Sequence, residues 1–186
     1  VSATMGVALA GNLVTFVVFY EMLTLSTYPL VVHRGDAASL RAGRLYLAYT
    51  LGGGASLLLG AMLLHALHGA GGFTVGGLLS LAETRPGDGA LTLVFVLLVA
   101  GLGVKAALVP LHGWLPVAMV APAPVSALLH AVAVVKAGAF GIVRVVYDLF
   151  GERLAEALHL LPPLSLIAAA TILWGSLRAL AQDDLK

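Results

Sequence analysis

Residues 105–136 read KAALVPLHGWLPVAMVAPAPVSALLHAVAVVK, and between the two terminal lysines there is no acidic or basic residue. His112 and His130 are the only other titratable groups in the stretch, and Pro110, Pro116, Pro122 and Pro124 interrupt its middle. A water-exposed loop of this length would carry charges and polar turn residues. This one carries Trp114, Met119 and a ladder of Val, Ala and Leu. The reading that fits is backbone broken inside a membrane, which is tolerated only where protein buries it or a wet cavity runs past it. An ionisable residue at that depth marks a functional site by default. Two lysines bracketing a broken helix and two histidines point to a route for protons.

The rest of the chain agrees. Of 186 residues, 60% are hydrophobic and 10% charged, with a mean hydropathy of +1.03, whereas soluble domains carry about 25% charged residues. The class is therefore an all-α integral membrane protein whose first partner is the lipid bilayer. A net charge of +1 gives no bulk attraction for nucleic acid. With no cysteine, disulfides and thiolate-held zinc or iron–sulfur centres are excluded. No quinone or nicotinamide site is identifiable, so no cofactor is expected. The chain is read as a single transmembrane unit over residues 1–186 and, from its apolar start and its charged Asp183-Asp184-Leu185-Lys186 end, as a piece of a longer protein.

Crossing a hydrocarbon core of about 30 Å takes about 20 apolar residues. That predicts about five transmembrane helices, over residues 5–32, 45–67, 91–121, 125–150 and 160–180, the third of them discontinuous at Pro110. Pro162 and Pro163 fall in the first turn of the fifth, where a missing N–H costs nothing. Lys and Arg favour the 33–44 connection (Arg34, Arg41, Arg44) and the C-terminal end (Arg178, Lys186). The 68–90 loop sets Arg85 against Glu83 and Asp88, and the 148–159 connection sets Arg153 against Asp148, Glu152 and Glu156. The basic ends are then cytoplasmic, in what is expected to be a prokaryotic plasma membrane. This alternation requires that 91–121 cross only once. Gly52, Gly53, Gly54, Ser56 and Gly60 read as a small-residue packing face, and 73–81 as a short interfacial helix.

Glu21, in VVFYEMLTLSTY, is the one acidic side chain deep in a span, with Thr24 and Tyr28 near its face. Lys105 lies about 14 residues into the third span, too deep to reach headgroups easily, unless Pro110 marks a true helix end. A carboxylate in lipid is costly unless paired, protonated or watered, so Glu21 is either a protonated hydrogen-bond donor or the partner of a lysine. The arithmetic favours a Glu21–Lys105 pair. Lys136 sits deep in the fourth span, six residues after His130, which on an α-helix is about 120° around and about 9 Å along. The two flank one seam, with Ser126 on the face of His130. His112 is a gate or a hydrogen-bond donor that ties down carbonyls freed at Pro110. Arg144 snorkels, and His65 and His68 are interfacial.

An ammonium deprived of water holds its proton weakly, and a carboxylate within a few Å restores that hold. Joining and parting such a pair is a proton switch. Three other readings remain: a haem protein with histidine ligands, a transporter whose lysines bind an organic anion, and a non-pumping assembly subunit. The first leaves Glu21, Lys105 and Lys136 without a role.

The segments FYEMLTLSTYPLV, GLGVKAALVPLHGWLP and APAPVSALLHAVAVVKAG resemble the antiporter-like membrane subunits of respiratory complex I, of Mrp-type sodium/proton antiporters and of formate-hydrogenlyase-type hydrogenases. The resemblance covers nearly the whole chain. It implies two inverted five-helix repeats, this chain being the first. It also implies a conserved ion pair at Glu21 and Lys105 and a central relay at His130 and Lys136, moving protons and, in some members, sodium alongside other membrane subunits. Two positions depart from the family pattern. Val117 stands where a charged residue is frequent, and Ala123 where a threonine is. Lys136 beside His130 is closer to the Mrp and hydrogenase branches.

Overall fold

A computed structural model describes residues 1–79 and 89–183. Glu83, Arg85, Asp88, Asp184 and Lys186, used above for charge placement, lie outside the described residues.

Among the described residues the chain is helical. Helix α1 (Ser2–Leu9) is followed by α2 (Leu13–Val31), α3 (Ala37–His68) and α4 (Gly89–Lys105). Two short helices, α5 (Trp114–Ala118) and α6 (Ala123–Ala127), lead through a π-helical turn (Leu128–Val132) into α7 (Val134–Arg144) and a second π-helical stretch (Val145–Phe150). Helices α8 (Glu152–Ala157) and α9 (Leu161–Leu180) complete it. Four helical stretches are long and apolar enough to span: Leu13–Val31, Ala37–His68, Ala123–Phe150 and Leu161–Leu180. Helix α4 is the longer part of a crossing that breaks after Lys105 and resumes at α5, which is the discontinuous third element.

Three boundaries differ from the sequence reading. The apolar run 5–32 is two helices, because Asn12 turns extended and its Oδ1 accepts the Thr15 N–H at 2.8 Å, starting α2 afresh. Helix α3 begins at Ala37, earlier than the apolar pattern does, because Asp36 caps it through the Ser39 N–H at 2.7 Å. Arg41 and Arg44 are therefore on the helix rather than in a loop. Of the expected interfacial helix over 73–81, residues 80–81 lie outside the described residues, and residues 73–79 form turns and bends rather than a helix. Their N–H groups close other breaks instead: Phe73 donates to Gly11 O at 2.9 Å, Leu78 to Asp148 O at 3.1 Å and Leu79 to Leu149 O at 3.0 Å. The loop after α3, the α1–α2 break and the end of the 145–150 stretch thus meet at one face.

Arg144 does not snorkel. Its Nη2 donates to Ala10 O at 3.0 Å, its Nε lies 3.0 Å from Asp148 Oδ2, and its guanidinium sits 4.1 Å from the Phe73 ring centre. Helix α1 ends with unpaired carbonyls, and a planar cation within reach of one is better used there than at a headgroup.

The core lies where α2, α3, α4 and α7 meet, around Phe16, Tyr20, Tyr46, Leu57, Leu98, Leu102 and Trp114. Helices α3 and α4 come into backbone contact. A Cβ on Gly53 would stand 2.9 Å from the Val104 side chain and 3.1 Å from Gly101 O. Ser56 Oγ adds a bond to Leu97 O at 2.9 Å across the same seam. Helix α9 lies at the edge of this core, with Leu161 and Leu164 against it and none of its residues fully buried.

Candidate functional site

Helix α4 ends inside the protein, so its last carbonyls must be satisfied there. The sequence does this with a left-handed residue, Ala107, at φ 56°. Its N–H bonds Val104 O at 3.1 Å and the Leu108 N–H bonds Gly103 O at 2.9 Å, the paired closure of a Schellman motif. Trp114 Nε1 donates a further bond to Val104 O at 2.7 Å, and the Tyr20 hydroxyl reaches Gly101 O at 3.3 Å. The donors of the break are met as well: Ala106 N by Leu102 O, Val109 N by Thr171 Oγ1 at 3.0 Å, Leu111 N by Leu108 O. Pro110, following a cis peptide bond, has no N–H to satisfy. From Ala106 to Leu111 every N–H of the break has a partner.

Lys105 is the last residue of α4, and its side chain is buried. Its Nζ donates to Tyr20 O, lies 3.3 Å above the centre of the Tyr20 ring, and stands 3.7 Å from Glu21 Oε1. Two consecutive residues of α2 thus supply a carbonyl, an aromatic face and a carboxylate to one ammonium. The two ends of the pair differ: the Lys105 side chain is 1% exposed and that of Glu21 30%. The carboxylate has an open side while the ammonium has none. Bare glycines make the room. A Cβ on Gly138 of α7 would lie 2.7–2.8 Å from Leu102 O and Lys105 C, so α7 rests directly on the end of α4.

The other candidates lie around this pair. Ser126 and His130 line a shallow groove of about 220 Å³ with Met119, Ala123 and Ala127. His130 Nε2 is buried there without a hydrogen-bond partner. Lys136 is exposed and does not line that groove. A π-helical turn and the bend at Ala133 lie between His130 and Lys136, so the spacing of a regular α-helix does not apply to them. His112 is half-buried, and its Nε2 accepts a bond from Trp174 Nε1 of α9 at 3.1 Å. Pro110 is exposed beside it. A second groove of about 420 Å³, between α3 and α4, is lined by Tyr49, Gly52, Ser56 and Val104 among others but not by Lys105. The ammonium is thus enclosed by protein and faces neither groove.

Tyr20 and Trp114 were not singled out by sequence reasoning, since an aromatic in an apolar run reads as core. The available signal was adjacency, Tyr20 preceding the one deep carboxylate.

Helices long and apolar enough to cross a membrane, one of the chain's apolar helices ending on a buried, carboxylate-paired lysine, define an integral membrane protein with an ion pair in its interior. The sequence profile of the family described as "NADH:quinone oxidoreductase/Mrp antiporter, TM" matches residues 10–186, and the chain belongs to that family. It is 34% identical over 185 residues to the Na(+)/H(+) antiporter subunit A1 of Staphylococcus epidermidis, covering 99% of this chain and 22% of the relative. It is 34% identical over 187 residues to hydrogenase-4 component B of Escherichia coli, covering 100% of this chain and 27% of the relative. In the structure of respiratory complex I from Thermus thermophilus with bound aureothin, one chain superposes with a TM-score of 0.75 at 28% identity, over 99% of this chain and 38% of that one. The chain thus spans between a fifth and two-fifths of the length of these relatives.

Proposed function

We propose that this chain carries protons through the membrane as part of an antiporter-like subunit, with the Glu21–Lys105 pair as its adjustable element. Lys105 gives up a proton when the carboxylate withdraws, leaving a neutral amine, and recaptures one when it returns. The observation that carries the reading is a lysine with 1% side-chain exposure, 3.7 Å from a carboxylate, at the end of a broken helix. Protein pays several kcal/mol to bury such an ion, and adjustable proton affinity is the function that cost serves. His130, with an unpartnered ring nitrogen beside a groove, and Lys136, exposed on α7, extend the relay laterally. His112 and Pro110 gate the break.

The subunit works beside other membrane subunits in a complex of the Mrp, complex I or hydrogenase type, as the names of its relatives suggest. Sodium is a candidate coupled ion. The membrane is a prokaryotic plasma membrane, with residues 33–44 on the cytoplasmic side. The full-length protein, assembled with its partners in inverted membrane vesicles, tests this by dye-monitored pH gradients. Lys105→Ala and Glu21→Ala should abolish proton movement while the complex still assembles. Undiminished movement in assembled Lys105→Ala complexes would refute the proposal, and a uniform loss of assembly would reduce both residues to structural props.

A further inference from the structure

The three consecutive glycines of α3 meet three different surroundings. A Cβ on Gly52 would meet nothing within 4 Å, and one on Gly53 would meet α4. A Cβ on Gly54 would stand 2.5 Å from Glu21 Oε1, 2.7 Å from its Cδ and 2.9 Å from Oε2. The whole carboxyl group therefore lies against the bare backbone of Gly54. The oxygen that an added methyl would strike first, Oε1, is the same one that faces Lys105 Nζ at 3.7 Å. That oxygen is buried and accepts no hydrogen bond, so no directional bond holds it in place. Apart from the non-directional attraction of Lys105, what fixes its position is the space it occupies.

We propose that Gly54 is a positioning residue for Glu21, setting by its missing side chain where the carboxylate stands relative to Lys105. The structural role is independent of function; its consequence for transport rests on the proton-switch reading. The glycine stretch is thus more than a packing face: Gly53 serves helix contact, and Gly54 serves the ion pair. Carbon–oxygen contacts settle near 3.5 Å, so Gly54→Ala moves the carboxyl group by about 1 Å. The obstacle is the end of a flexible side chain, so the carboxylate yields and the helix stays. A displacement of about 1 Å from 3.7 Å, at an effective dielectric of about 20, alters the hold on the ammonium by about one pH unit.

Two readouts test this in the assembled full-length protein. The first is the infrared carboxyl band of Glu21, identified by difference against Glu21→Gln. The second is the pH profile of proton movement in inverted vesicles. Gly54→Ala should shift the band and move the profile by about one unit, while Gly52→Ala, which points into open space, should change neither. An unshifted band in Gly54→Ala, or an equal shift in Gly52→Ala, overturns the proposal. A shifted band with transport indifferent to both Gly54→Ala and Glu21→Ala upholds the positioning role and overturns the proton-switch reading. Should Gly54→Ala fail to assemble, pairing it with Glu21→Asp, whose shorter side chain returns the space, should restore assembly. Failure to restore it would also overturn the proposal.

Discussion

Removing the Tyr20 ring separates the two forces on the Lys105 ammonium. The ring centre lies 3.3 Å from Nζ, and a cation over a desolvated aromatic face gains about 2 kcal/mol. The carboxylate at 3.7 Å would contribute about 4.5 kcal/mol at an effective dielectric of 20, and about half that at twice the dielectric. At an effective dielectric of 20 the ring is worth a little under half as much as the carboxylate at 3.7 Å. Tyr20→Phe keeps the ring and loses only hydroxyl bonds of 3.3 and 3.5 Å to Gly101 and Leu102, worth about 0.5 kcal/mol. Tyr20→Leu loses the ring, and the alkaline limb of the transport profile should fall by about 1.5 pH units, with about 3 kcal/mol of stability lost to the cavity. The assay is proton movement in vesicles across a pH series, beside thermal unfolding of the purified complex. Equal profile shifts in both variants would refute the argument. So would a destabilised Tyr20→Leu whose profile has not moved, since the ring would then only fill space.

Three further outcomes are expected. Ala107, at φ 56°, should accept glycine within about 1 kcal/mol, because relief of left-handed strain offsets the added chain entropy. Ala107→Val should cost more than about 2 kcal/mol by melting temperature, a branched side chain being worse there. Arg144→Ala should raise hydrogen exchange at Gly11–Asn12 and at residues 72–79, the loop carrying Phe73, losing about 2–3 kcal/mol locally. Arg144→Lys should not restore protection, since an ammonium lacks the planar fork. The bond from Ser39 holds the Asp36 carboxyl below its usual range. Its capping contribution is therefore full above about pH 4 and lost as pH falls through the lowered value. Exchange at the first turn of α3 should rise over that acid range, and Asp36→Asn should cap without the pH dependence.

Much of this was legible where the chemistry of lipid leaves few choices. A deep lysine needs an anion and only one deep acid existed, so Glu21 and Lys105 were paired on paper as they are in space. The break was legible too, though placed at Pro110, whereas α4 already ends at Lys105. The signal that stops it is an alanine in a left-handed conformation, a position at which sequence reasoning looks for glycine. Asn12 did carry a capping signal, but continuous hydrophobicity on both sides concealed it. The π-helical turn at Leu128–Val132 has no local signature, and the α-helical spacing assumed between His130 and Lys136 does not apply across it. Arg144 was misjudged because the carbonyl it reaches belongs to a residue 134 positions away.

Among the described residues, the side-chain hydrogen bonds between helix α9 and the rest of the protein all fall at the break, from Val109 N–H to Thr171 and from Trp174 to His112. Its host stretch is held by turn bonds rather than by a helical ladder. Whatever alters the turn would reach α9 through those two bonds.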